Sequence, residues 1–254
     1  MKQAKKKIVA VTAYDAVFGR LVDAAGVDCV LVGDSLNQVL CGQPSTLSAT
    51  MDQMIYHSRA VRRGVTRALL VVDMPFLSYQ VSREDALRNC GRVMKETAAQ
   101  AVKLEGGANM AETVRALVDI GIPVMGHVGL TPQSVHALGG YRVQGRGDEA
   151  AGRMAADVAA LEQAGCFSVV LELVPAKVAA AISAERAIPT IGIGAGVGCD
   201  GQVLVLHDLL GLNDVFSPKF LKRYATMAEE VRGAVGRFAD EVRRGVFPDA
   251  DHSF

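Results

Sequence analysis

The 254 residues contain no tryptophan, and all aromatic residues together make up 5% of the chain. Stacking of single-stranded nucleic acid bases needs such rings, so that class of binder is poorly supplied. Neither sign of charge is in excess, with 27 Lys and Arg against 27 Asp and Glu. The basic field that nucleic acid demands is therefore missing. No apolar run approaches the ~20 residues of a membrane span, and the cluster Lys5 to Lys7 is not followed by a signal-type apolar core. The five cysteines, Cys29, Cys41, Cys90, Cys166 and Cys199, are odd in number, scattered and never spaced as CxxC. Neither a disulfide framework nor a structural zinc site is indicated. A cytoplasmic protein with no nucleic acid and no membrane partner is expected.

What is present is hydrophobic and repetitive. Eight short apolar runs recur: Ile8 to Thr12, Cys29 to Val32, Ala68 to Val72, Ala101 to Leu104, Ile122 to Met125, Ser168 to Leu171, Pro189 to Ile193 and Val203 to Leu206. Most are continuously apolar and rich in Val, Ile and Leu, as strands buried on both faces are, so they predict a parallel sheet. Helical period fills the spaces between them. Ala86, Cys90, Val93, Met94 and Thr97 share a face after a Ser82 cap, and Met154, Val158 and Leu161 share another. Phe220, Tyr224, Met227, Val231, Val235, Phe238 and Val242 predict a long last helix, started by Ser217 and Pro218 and ended by Gly245. Eight strand-helix alternations fit a (β/α)8 TIM barrel better than an open doubly wound sheet. No composition break divides the chain, so residues 1–254 are expected to be a single domain.

Two glycine-rich stretches interrupt this pattern. Gly139, Gly140, Gly145 and Gly147 surround Tyr141, Arg142 and Arg146 in the longest aperiodic segment, which predicts a functional or assembly loop. Gly196, Gly198 and Gly201 spell a literal GxGxxG after the seventh run, but only one strand remains to follow it. A dinucleotide site cannot be built there; close backbone approach to substrate or tight barrel closure is the better reading.

The strand ends carry the chemistry. In an α/β barrel they feed the catalytic face, and here they bear Asp34, Asp73, Lys103 with Glu105, His127, and Glu172 in turn. Any one of these could cap the next helix or pair with a surface lysine; five strands contributing at once point to a site. Four carboxylates with one lysine would repel in a partly desolvated mouth and recruit a cation. Oxygen donors suit Mg²⁺ better than zinc, with Asp34, Asp73 and Glu105 as the metal group, directly or through water. Lys103 and Glu105 are two apart and leave the strand on one face, to serve one ligand or to form an internal salt bridge. A metal beside a lysine can hold an α-keto acid and stabilise the enolate left when a neighbouring C–H proton departs. Glu172 is the candidate base, and His127 is the alternative base or its hydrogen-bond partner.

The motifs TAYD (Thr12 to Asp15), GDS (Gly33 to Ser35), VDMPF (Val72 to Phe76), KLEGG (Lys103 to Gly107), GHVGLTPQ (Gly126 to Gln133), GGYRVQGRGDEA (Gly139 to Ala150), LELVP (Leu171 to Pro175) and IGIGAG (Ile191 to Gly196) together resemble the ketopantoate hydroxymethyltransferase family. The likeness runs from about residue 5 to the terminal DHSF. It implies a barrel of the phosphoenolpyruvate mutase and isocitrate lyase superfamily and a Mg²⁺ site. It also implies hydroxymethyl transfer from 5,10-methylenetetrahydrofolate to 3-methyl-2-oxobutanoate, giving 2-dehydropantoate for pantothenate synthesis. By the same resemblance Asp34 and Asp73 are metal carboxylates, Glu105 a ligand reached through water, Ser35 and Lys103 substrate contacts and Glu172 the proton acceptor. Assembly as a homodecamer of two pentameric rings is a further expectation. Asn37, Cys41, Ser48 and Val197 depart from the family pattern, and none is a proposed ligand. A keto-acid lyase or mutase on the same scaffold, or a catalytically idle binding barrel, are the competing readings.

Overall fold

Eight strands form in the computed structural model, which describes residues 1–254. They are β1 Ile8–Thr12, β2 Cys29–Val32, β3 Leu69–Asp73, β4 Ala101–Glu105, β5 Val124–Gly129, β6 Ser168–Glu172, β7 Thr190–Ile193 and β8 Gly201–Leu204. All pair in parallel in chain order, and β8 closes onto β1. The helices of this part are α1 Ala16–Ala24, α2 Leu36–Val39, α3 Met51–Gly64, α4 Arg83–Thr97, α5 Ala111–Asp119, α6 Asp148–Ala164 and α7 Ala176–Glu185. The expected (β/α)8 barrel is therefore the observed one. No helix of the chain is long and apolar enough to cross a membrane.

Local signals set the helix starts. Asp15 of the TAYD motif accepts the Phe18 N–H, Thr50 and Gln53 form a capping box at α3, and Ser82 accepts the Asp85 N–H at α4. Ala86, Cys90, Val93 and Thr97 of α4 are buried as their spacing predicts, as are Met154, Val158 and Leu161 of α6. Inside the barrel Ala10, Cys29, Leu31, Val71, Ala101, Met125, Val170, Ile191 and Val203 pack into one apolar cluster. Burying each of its larger aliphatic side chains contributes roughly 1.5–3 kcal/mol of transfer free energy.

Contacts divide the chain into two compact units, Met1–Val205 and Leu206–Phe254. The alternation of strand and helix also stops one step early. Between β7 and β8 there is no helix: Gly194 to Asp200 run back as irregular chain. A Cβ on Gly196 would stand 2.5 Å from the Ala176 Cβ, and one on Gly198 would stand 2.6 Å from the Ala180 Cβ. These alanines are four apart on α7, so the glycines let the returning chain lie against one face of that helix. The glycine run serves barrel closure.

The second unit contains α8 Leu206–Leu209 and α9 Met227–Arg243. The last helix starts at Thr226, nine residues after the expected Ser217. Phe220 and Tyr224 precede it because their segment is spent on other bonds. Tyr224, Met227 and Ala228 donate backbone N–H groups to the carbonyls of Leu209, Leu210 and Gly211, while Arg223 holds the carbonyls of Asp214 and Phe216. At the far end Gly245, with φ of +67°, donates to the Val242 carbonyl and closes the helix as expected.

Candidate active site

Side chains alternate along a strand, so residues two positions beyond an interior apolar residue also face the barrel axis. Val71 is followed in this way by Asp73, Ala101 by Lys103 and Glu105, Met125 by His127, and Val170 by Glu172. The register then sets neighbours: Asp73 pairs with Lys103 across β3 and β4, and Glu105 with His127 across β4 and β5. The fifth strand starts at Val124 and extends to Gly129, so His127 lies within it rather than past its end. Asp34 comes from the loop after β2. Its N–H donates to Asp73 Oδ2 at 3.3 Å.

Asp34, Asp73, Lys103, Glu105 and His127 are buried, Glu172 is partly buried, and the groups interlock. Lys103 Nζ lies 2.7 Å from Asp73 Oδ1 and 3.2 Å from His127 Nδ1. Burial works against the Lys103 ammonium, but Asp73, Glu105 and Asp34 more than offset it, so it stays charged with its pKa above the usual value. Burial lowers the His127 pKa well below the ordinary range, helped by Lys103. The imidazole is neutral, and with Nδ1 facing an ammonium its proton sits on Nε2. That nitrogen is 3.2 Å from Glu172 Oε2, off the line of a full hydrogen bond. Burial raises Glu172 to about 7 against the pull of Lys103. Asp34 is raised to about 7 by burial and by repulsion from Asp73, and Glu105 is raised well above its normal value by burial and by Asp34.

Every residue singled out from the sequence is thus in one place. Asp34, Asp73, Lys103, Glu105, His127 and Glu172 line the end of the barrel, and Ser35 follows Asp34 in the chain and shares a 2.8 Å hydrogen bond with the Tyr14 hydroxyl. No three His, Cys, Asp or Glu side chains close around a single point to cage an ion by themselves. Two residues that the sequence reading passed over are bonded to this group. Gln133 touches both Asp34 and Glu105, and the Tyr79 hydroxyl accepts the Glu105 N–H at 3.0 Å. Gln133 lay within a quoted motif, yet a neutral amide after a proline carries no sequence signal of its own.

The long loop leans over the same end. Tyr141, half exposed, accepts a hydrogen bond from Gln38 of α2 at 3.3 Å, and the Gln144 N–H donates to the Leu173 carbonyl just past Glu172. Two residues that depart from the expected family pattern are bonded to one another: the Asn37 amide donates to Ser48 Oγ at 2.9 Å, and also to the Ser45 carbonyl at 2.8 Å.

A family profile described as ketopantoate hydroxymethyltransferase matches residues 1–250. A 3-methyl-2-oxobutanoate hydroxymethyltransferase from Pelobacter propionicus is 59% identical over 254 residues, covering 100% of this chain and 94% of the relative. The protein of that name from Moorella thermoacetica is 57% identical, covering 100% and 94%. Among solved structures, a 2,3-dimethylmalate lyase of the PEP mutase/isocitrate lyase superfamily aligns with a TM-score of 0.64 at 16% identity, covering 99% of this chain and 88% of its own. A phosphonopyruvate hydrolase complexed with oxalate and Mg²⁺ aligns with a TM-score of 0.63 at 12% identity, covering 98% and 89%. At such identities the structural likeness speaks for the barrel alone.

Proposed function

The chain belongs to the ketopantoate hydroxymethyltransferase family, and on that premise we propose that it transfers a hydroxymethyl group from 5,10-methylenetetrahydrofolate to 3-methyl-2-oxobutanoate in the cytoplasm, giving 2-dehydropantoate for pantothenate synthesis. The observation that carries the reading is the buried Asp73–Lys103 ion pair, with Asp34 and Glu105 on one side and Glu172, raised to about 7 by burial and beside His127, on the other.

Mg²⁺ fits this donor set. Asp34, Asp73 and Glu105 set three carboxyl groups beside one ammonium. Lys103, the Asp34 N–H and Gln133 engage four of their six oxygens, which leaves Asp34 Oδ1 and Glu105 Oε1 for an ion. Burial first and repulsion between the acids second raise the Asp34 and Glu105 carboxyls. The lack of a closed three-residue cage is no obstacle, because Mg²⁺ keeps several waters and takes one or two carboxylates together with its substrate. Asp34 and Asp73 would hold it, with Glu105 acting through water. When bound, it supplies Lewis-acid charge to the keto acid.

The chain's own groups do the rest. Lys103 and Ser35 bind the substrate's oxygens, and Lys103 keeps positive charge where negative charge develops. Glu172 takes the proton from C3. The two C–N bonds that hold the folate-borne methylene are replaced by one bond to the electron-rich C3 and one to a water oxygen, and the proton from C3 and one proton from water pass to the two nitrogens as tetrahydrofolate leaves. His127, neutral and wedged between Lys103 and Glu172, orients the base and cannot itself hold the proton near pH 7. Self-association into a homodecamer of two pentameric rings belongs to the same proposal. It is supported by exposed apolar side chains, Val17 and Leu21 on α1 among them.

Glu172→Gln tests the base. The variant is expected to bind 3-methyl-2-oxobutanoate with Mg²⁺ yet lose exchange of the C3 proton in deuterated water; undiminished exchange removes Glu172 from the role. Product analysis with and without the methylene donor tests the transfer, since turnover of the keto acid without folate would favour a lyase.

A further inference from the structure

Gln133 sits in the single 3₁₀ turn Pro132–Ser134 that follows β5, and it is 6% exposed. Its backbone N–H donates to Glu105 Oε2 at 3.0 Å. Its side-chain nitrogen donates to Asp34 Oδ2 at 2.8 Å and to the Met74 carbonyl at 2.9 Å. Its side-chain oxygen accepts from the Tyr79 hydroxyl at 2.7 Å and from the Gln80 amide at 3.0 Å. The amide has two N–H donors and one oxygen with two lone pairs, so every position is used.

This arrangement fixes which way round the amide lies. Turned over, its oxygen would face the Asp34 carboxylate and the Met74 carbonyl, and its NH₂ would face the Gln80 NH₂. Tyr79 sets the direction from behind. Its oxygen is occupied by the Glu105 N–H, and its proton goes to Gln133 rather than to the more distant Glu105 carbonyl at 3.3 Å. One neutral residue thus grips one oxygen each of two acids, delivered by β4 and by the loop after β2, that otherwise repel. Neither acid can rotate without breaking a buried hydrogen bond.

We propose that Gln133, aligned by Tyr79, is a positioning residue that presets Asp34 and Glu105 for a divalent cation by holding Asp34 Oδ2 and Glu105 Oε2 and leaving the other oxygen of each free to serve it. The proposal rests on the cation reading given above. It deepens that reading by naming a residue that acts through the ligands without touching the ion.

Titration of the full-length protein with Mn²⁺ alone, followed by electron paramagnetic resonance, provides the test. Gln133→Met keeps the side-chain length and the backbone N–H but removes the amide. It is expected to raise the Mn²⁺ dissociation constant about tenfold or more, as loss of an outer partner to a ligand typically does. Tyr79→Phe leaves Gln133 in place but unaligned, and a smaller rise in the same direction is expected. It also serves as the reporter if Gln133→Met does not fold. Near-ultraviolet circular dichroism and Tm establish that each variant is native. A purely structural Gln133 would lower Tm and leave Mn²⁺ affinity untouched, and that result overturns the proposal. If the unaltered protein itself fails to bind Mn²⁺, the cation reading falls and the role of Gln133 falls with it; binding by the unaltered protein with unchanged affinity in folded variants removes Gln133 alone.

Discussion

A carboxylate on the inner wall of a barrel has little water to share its charge with, and Glu172 carries the consequence. Burial raises its pKa to about 7, and only Lys103 pulls it back. A base must be ionised to accept a proton, so a raised pKa moves the loss of activity to higher pH. The expected profile of kcat/KM for the hydroxymethyl transfer is flat above about pH 8 and falls tenfold per unit below about 7. A plateau extending down towards about pH 4.3, the ordinary glutamate value, would show that another group titrates. At this scale the sequence was informative at the strand ends, where an ionisable side chain closes or follows an apolar run, which is how Asp34, Asp73, Lys103, Glu105, His127 and Glu172 could be picked out. Gln133 escaped because its importance comes from touching Asp34 across 99 residues of chain, and nothing local encodes that contact.

At the level of elements, the connection between β7 and β8 holds the clearest test. Gly198 lies against Ala180 so closely that an added Cβ would stand 2.6 Å from the alanine Cβ. Gly198→Ala is therefore expected to destabilise the fold by about 1–3 kcal/mol through overpacking, measured as a shift of the urea midpoint. Ala180→Gly in the same chain should recover part of that loss, giving a positive coupling in the double-mutant cycle. Strictly additive effects would mean that the two elements do not press on one another. Apolar run and helical period located nearly all strands and the faces of α4 and α6. They failed at the seventh connection, where close packing of irregular chain replaces a helix, and at Ser217, where capping residues are present but the backbone that follows bonds to the turn after α8 instead. In both cases a non-local partner outcompeted a local preference.

For the molecule as a whole, the proposed assembly can be tested at the surface. Val231, Val235, Phe238 and Val242 of α9 are between 47% and 60% exposed, and Val17 and Leu21 repeat the pattern one turn apart on α1. Apolar stripes of this kind are characteristic of surfaces covered by another subunit. Light scattering after size exclusion is expected to give a multiple of the 26.8 kDa chain mass, ten for the proposed assembly. Phe238→Asp is expected to lower that mass while far-ultraviolet circular dichroism stays unchanged. A monomeric parent protein would end the assembly proposal without touching the chemistry.

The sequence alone determined that parallel strands close into a barrel and that acids, a lysine and an imidazole gather at the strand ends, because burial on two faces and side-chain alternation are periodic and periodicity is written in the order of residues. The tertiary structure alone decided that His127 stands between Lys103 and Glu172, that Gln133 spans two acids, that the glycines of the seventh connection press on α7, and that Asn37 and Ser48 answer one another. Each of those contacts joins positions brought together only by closure of the barrel and packing of its loops, and the free energy of such contacts depends on distances that no local pattern of residues records.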